Sequence, residues 1–282
     1  MERESSLTAE EPYDSNALTV TFDTNTLDSV VWPESAQRDN KEAAITVRAA
    51  IQNGRLRGFF SETVFTLEGI EREDRSRILG STRVMIETSA NGDPCRAIDL
   101  GFGVASQHVR KPLHPKSLGR VQEALRLGML PLQTRALFTR HYDKRFPLYR
   151  PAGETPELLR CMDKVNSMTD EIAKRGFGQA PALQLGLYFS DRDNVTKPEL
   201  WLQGLGRARD KAERNKVARA ISEWADGDSV GAHCGFEIQL FCTEDKGRSG
   251  RSVLGTVGRK WLTEEFGIAF VSLAELAQSV PT

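Results

Sequence analysis

No run of about 18 uninterrupted apolar residues occurs in the chain, which argues against a membrane-spanning helix. Cysteine is scarce: Cys95, Cys161, Cys234 and Cys242 are the four present, and no two form a C-x-x-C pair. That spacing spells neither a zinc ribbon nor a dithiol redox motif, so buried thiols are expected. His233 and Cys234 with Cys242 have the wrong spacing for a zinc finger. The N-terminal MERESSLTAEEPYDSN lacks the basic-then-apolar order of a signal peptide, and the expected location is cytoplasmic. Internal repeats and low-complexity tracts are missing. Gly204-Leu-Gly206 lacks the third glycine of a dinucleotide fingerprint. No Ser-His-Asp or Cys-His arrangement stands out. A net charge of -1 excludes a uniformly basic nucleic-acid coat protein.

What is present is enough for a core. The 282 residues are 39% hydrophobic and 27% charged, outside the range of global disorder. The length suits one elaborated domain. Charge is segregated. Residues 1–42 carry ten acids against three bases, a net of -7, and residues 101–150 carry ten bases against two acids, a net of +8. Such a basic stretch suits a polyanion, because Lys and Arg displace counterions from phosphates.

Residues 1–16 read as a disordered tail. Leu18–Phe22 alternates as a strand and is followed directly by Asp23-Thr24-Asn25. A helix is expected over 40–52, then a short strand at 58–60, then a helix capped by Ser61 that carries Glu62 to Ile70. Residues 72–150 change pattern: a hairpin around Asn91-Gly92 and a proline-punctuated basic region with one helix near 118–127. They read as a basic insertion. A helix over 156–175, a strand-like run at 183–189 and a helix over 205–224 follow. Phe236–Cys242 reads as a strand ending at Thr243-Glu244-Asp245. The end reads as helix, Gly267, strand, and a last helix capped by Ser272.

Strands alternating with helices predict an α/β fold, a three-layer α/β/α sandwich with a mainly parallel central sheet. Ligands of such sheets bind beyond the carboxyl ends of the strands, where Asp23 and Asp245 fall. Converging like charges need a partner, and oxygen-preferring Mg²⁺ or Mn²⁺ supplies one. Asp228 is a third acid for that rim, with Asp226 its rival. Glu68 or Glu62 is the fourth.

These residues carry a resemblance. Asp23-Thr-Asn25 after the first strand looks like the opening D-x-N of PIN domains. Asp228, a small-residue helix, an apolar strand and Thr243-Glu244-Asp245 resemble the family's ending, with 17 residues between the two acids. Thr66-Leu67-Glu68 is similar to the family's T-L-x-E with one spacer residue fewer. The resemblance spans roughly 17–70 and 155–277, and implies a PIN-like domain over 17–277 interrupted by the insertion 72–150. It further implies metal-dependent phosphodiester hydrolysis, usually of RNA. Asp23, Glu68, Asp228 and Asp245 would face Mg²⁺ or Mn²⁺, with Glu62 kept beside Glu68, and Asn25 would orient them. Arg135, Arg140 and Lys144 in the insertion, with Arg207 and Lys211, would hold the strand's phosphates. The implied partners are RNA, an antitoxin protein and a second copy of the chain; no membrane is implied. The alternative is a catalytically inactive PIN-like RNA-binding or scaffold module. A phosphatase of haloacid dehalogenase type ranks below both, because Asn25 and Leu27 stand where that family has Asp and Thr or Val.

Overall fold

The computed structural model describes residues 17–90, 98–106, 113–135, 146–151, 154–196, 200–245 and 252–280. The expected tail, 1–16, lies outside them, as do the Asn91-Gly92 turn, Cys95, Arg140 and Lys144. The first half runs β1 (Leu18–Phe22), α1 (Thr24–Val31), α2 (Lys41–Gln52), β2 (Leu56–Ser61), α3 (Arg75–Gly80), β3 (Thr82–Ala90), β4 (Ile98–Ser106), α4 (Pro115–Arg126) and β5 (Leu130–Leu132). The second half runs α5 (Glu154–Lys174), α6 (Ala180–Arg192), α7 (Trp201–Leu205), α8 (Lys211–Gly235), β6 (Leu240–Cys242), α9 (Thr256–Phe266), β7 (Ala269–Val271) and α10 (Leu273–Ser279). None of the described helices is long and apolar enough to cross a membrane.

The protein is an α/β fold built on a five-stranded, all-parallel sheet of order β5-β2-β1-β6-β7. Strand residues alternate between the two faces of a sheet, and the core divides accordingly. Val20, Phe22, Phe60 and Cys242 pack with α1, α2, α4 and α10. Their strand neighbours Phe59 and Phe241 pack on the other side with α5, α8 and α9. Helices thus cover both faces, as the expected three-layer sandwich requires. The central strands are largely buried because helices cover both faces: Val20, Thr21 and Phe22 of β1 are buried, as are Gly58 to Ser61 of β2.

Within the stretch read as an insertion, β5 pairs in parallel with β2, and Val121 and Ala124 of α4 join the core beside α1 and α2. The central sheet therefore includes residues from inside 72–150. β3 and β4 form a separate antiparallel pair.

Three local expectations are corrected. Leu183–Phe189 lies in helix α6, not a strand; Ala182, Gly186 and Phe189 share its buried face at helical spacing, and Pro181 opens it. Ser61 caps a single 3-10 turn, Glu62–Val64, instead of a helix reaching Ile70. The helix expected over 205–224 is α8, 25 residues long and continuous to Gly235. Asp228 is therefore mid-helix, not at a helix start.

α8 can lie this deep because Gly227, Gly231 and Gly235 recur every four residues along it. A Cβ on Gly235 would sit 2.3 Å from Val165 Cγ2 and 2.8 Å from the Cys161 carbonyl oxygen of α5. Gly235→Ala is expected to destabilise the protein by about 1–3 kcal/mol, since backbone cannot move aside as a side-chain tip can. Gly119→Ala in α4, whose Cβ would lie 3.6 Å from Trp32, is the matched control. It is expected to gain roughly 0.5–1 kcal/mol from helix propensity. Urea midpoints of the two variants check both signs.

Candidate active site

Parallel pairing sends every strand of the central sheet to the same rim, and β1 delivers Asp23 there. Its backbone N–H still continues the ladder, donating to the Cys242 carbonyl at 3.0 Å. Its side chain then caps α1, accepting from the Thr24 N–H at 2.7 Å. The other carboxylate oxygen accepts from Asn25 Nδ2 at 2.9 Å and from the Thr243 hydroxyl at 2.8 Å. Thr243 Oγ1 in turn accepts from the Asp245 N–H at 3.0 Å. Asn25 Oδ1 accepts from the Glu244 N–H at 3.2 Å. Asn25 and Thr243 thus tie the start of α1 to the turn after β6 and fix how Asp23 and Asp245 are presented.

Glu68 arrives from the turn after β2. It accepts from the Thr24 hydroxyl at 2.6 Å. Asp226 arrives from α8 and lines the same small cleft as Asp23, Thr24, Ser61, Thr63, Glu68 and Ser229. Among the described residues no hydrogen bond reaches the Asp226 carboxylate. Burial, then the nearby charges of Asp23, Glu68, Glu223 and Asp245, hold its carboxyl well above the ordinary range. Asp23 is pushed up to about 6, first by burial and then by Glu68, against the pull of its hydrogen bonds to Thr243 and Thr24.

Of the expected acids, the structure brings Glu68 and Asp245 within electrostatic reach of Asp23, with Asn25 beside it. Asp226, the rival, is the acid that α8 adds. Two expectations are corrected. Asp228 faces away from the cleft: it accepts from Trp224 Nε1 at 3.2 Å and lies near Arg135 and Glu62. Glu62 is also elsewhere, accepting from the Thr134 N–H at 2.7 Å and the Thr134 hydroxyl at 2.8 Å. It anchors the segment after β5, and burial raises its carboxyl.

The expected phosphate contacts fare unevenly. Arg135 is committed to the protein, donating to Asp170 at 2.6 Å, to the Asn166 carbonyl and to Thr169. Lys211 is exposed in the first turn of α8, about 22 Å along the axis from Asp226. Arg207 faces Asp193 at 3.9 Å. Arg140 and Lys144 lie outside the described residues. His233 is buried against the Thr21 hydroxyl at 3.0 Å, its imidazole lowered to about 3 by burial.

The donor set of the cleft is all oxygen, the carboxylates of Asp23, Glu68 and Asp226 with the hydroxyls of Thr24, Ser61, Thr63 and Ser229, which suits a hard divalent cation. Among the described residues no three His, Cys, Asp or Glu side chains form a group that could hold a metal ion by themselves. A cation bound there would have to take one or two direct carboxylates and keep several waters. Comparison with protein-family models, with curated proteins and with solved structures found no match to this chain.

Proposed function

We propose that this chain is a Mg²⁺- or Mn²⁺-dependent nuclease of PIN type, hydrolysing phosphodiester bonds with RNA as the preferred polymer. The observation that carries the reading is Asp226: a carboxylate set in the strand-end cleft beside Asp23 and Glu68, without a hydrogen bond among the described residues. Acids crowded in this way oppose their own ionisation, and a divalent cation removes that opposition. One or two of Asp23, Glu68, Asp226 and Asp245 would hold the ion directly and the others through its waters. Bound there, it would lower the pKa of a water and offset charge on the attacked phosphate.

The chain's own residues do the rest. Thr243 and Asn25 hold the outer oxygen of Asp23, and Thr24 holds Glu68, so both carboxylates are oriented before any ligand arrives. In the hydrolysis a water oxygen bonds to phosphorus in line with the departing ribose oxygen. The phosphorus–oxygen bond to that ribose breaks, the water gives up a proton to solvent, and the leaving oxygen takes one up. A cognate antitoxin-type protein and a second copy of the chain are the partners in keeping with this reading.

The test is a cleavage assay on labelled single-stranded RNA and DNA with Mg²⁺, Mn²⁺ or EDTA. Wild-type protein is expected to cut RNA only with metal, and Asp23→Asn to cut about 10³-fold more slowly or worse. Intact RNA in every lane, with tight salt-sensitive binding by both proteins, would replace the nuclease with an RNA-binding module of the same fold.

A further inference from the structure

Two arginines feel the cleft acids, and they differ in one respect. Arg75 of α3 is spent on the protein: its Nε donates to the Ile70 carbonyl at 3.2 Å, and its Nη1 to the Ala218 carbonyl at 2.7 Å and the Ser222 hydroxyl at 2.8 Å. Arg259, in the first turn of α9, is anchored but not spent. Its Nε donates to the Leu254 carbonyl at 2.7 Å, and its guanidinium lies over the Phe270 ring of β7 at 5.4 Å. Nη2 is buried and has no hydrogen-bond partner among the described residues.

An unpartnered buried donor is expensive, more so on a charged group, and a native structure rarely keeps one without use. The acids do not use it. Asp245, Asp23 and Glu244 lie within electrostatic reach of Arg259, yet among the described residues none forms an ion pair with it. A cation fork therefore stands near the carboxylates without closing on them. A group bound between the two would have to be an anion that accepts from a guanidinium while also meeting the cation the acids hold. A phosphodiester has that chemistry, and a non-bridging oxygen accepts a strong charge-assisted hydrogen bond from a guanidinium N–H.

We infer that Arg259 binds a non-bridging oxygen of the phosphate under attack, opposite the carboxylate-held cation. The inference rests on the nuclease reading for its substrate. Phe270 and Leu254 pre-set the guanidinium, so it stabilises charge developing on phosphorus without having to reorganise.

The experiment compares wild type with Arg259→Gln and Arg259→Ala on three readouts: RNA cleavage, Mn²⁺ affinity, and calorimetric binding of inorganic phosphate in the presence of Mn²⁺. Arg259→Gln is expected to lose about 10²–10³-fold in kcat. Its Mn²⁺ affinity and circular dichroism should stay those of wild type. Added guanidinium should restore part of the Arg259→Ala activity where sodium at equal ionic strength does not, a rescue that a purely structural arginine would not show. Wild-type kcat in Arg259→Gln, or a fall in kcat matched by lost Mn²⁺ affinity and no guanidinium rescue, would overturn the assignment. The phosphate arm separates the two readings. If wild type cuts nothing, the nuclease reading falls, while phosphate binding that Arg259→Gln abolishes keeps the anion site; equal phosphate binding by both proteins removes it.

Discussion

Asp226→Asn is expected to abolish metal-dependent cleavage while making the metal-free protein more heat-stable. The two effects share one cause. The Asp226 carboxylate is raised by burial and then by Asp23, Glu68, Glu223 and Asp245, and no hydrogen bond among the described residues offsets that penalty. An amide of the same shape removes the repulsion and the cation's anchor together. The gain in EDTA should be on the order of 1–2 kcal/mol, a rise of about 2–4 °C in Tm for a chain of this size. The loss of cleavage should reach about 10³-fold. Melting curves with added Mn²⁺ complete the argument. A ligand that binds only the folded state raises its Tm with concentration, so wild type should shift and the variant should not. An Asp226→Asn protein that still cuts, or that Mn²⁺ still stabilises as strongly as wild type, would remove Asp226 from the site.

The parts of the site that were legible in the sequence are those set by strand ends. Asp23 follows an alternating strand, Thr243-Glu244-Asp245 follows an apolar one, and parallel pairing of β1 with β6 brings the two together without further information. Glu68, singled out in the sequence by Thr66-Leu67-Glu68, accepts from Thr24 Oγ1, a long-range contact that the local pattern does not announce. What escaped depends on facing. Glu62 sits next to a strand end, yet its carboxylate is claimed by Thr134, a partner 72 residues away that no local pattern announces. Arg135 looked like a phosphate contact from charge alone, and its three hydrogen-bonding partners lie on α5. The run Leu183–Phe189 is apolar enough to pass for a strand because Leu187 and Tyr188 remain exposed on a helix. Arg259 carries no sequence signal beyond a lone arginine early in a helix. The four-residue recurrence of Gly227, Gly231 and Gly235 was visible, and it signals the close α5–α8 approach that places Asp226.

Asp226 and Asp228 show how little separates a site residue from a structural one. At about 100° per residue, positions two apart on a helix point roughly 200° away from each other, so a single cleft takes only one of them. Composition and spacing cannot choose; the tertiary contacts of α8 do, and they turn Asp228 toward Trp224, Arg135 and Glu62. There the carboxyl is pushed up to about 7 by burial, against the pull of Arg135 and the Trp224 N–H, with Glu62 adding to the rise. Because this value lies above the unfolded one of about 4, the folded protein holds the proton more tightly than the unfolded chain. The group's penalty is therefore fully present above pH 7 and fades as pH falls from 7 towards 4. Asp228→Asn keeps an oxygen for Trp224 and removes the charge. It should stabilise the protein at pH 8 by about 1–3 kcal/mol and change it little near pH 4. A slope of the same sign should remain from Asp226, Asp23 and Glu62, whose carboxyls are also raised. Urea unfolding in EDTA across pH 4–8 measures this with the cleft kept free of metal. Cleavage by the same variant should stay within about threefold of wild type, since Asp228 touches neither the cleft nor its acids. A variant that loses cleavage as Asp226→Asn does, with no gain at pH 8, would exchange the roles of the two residues.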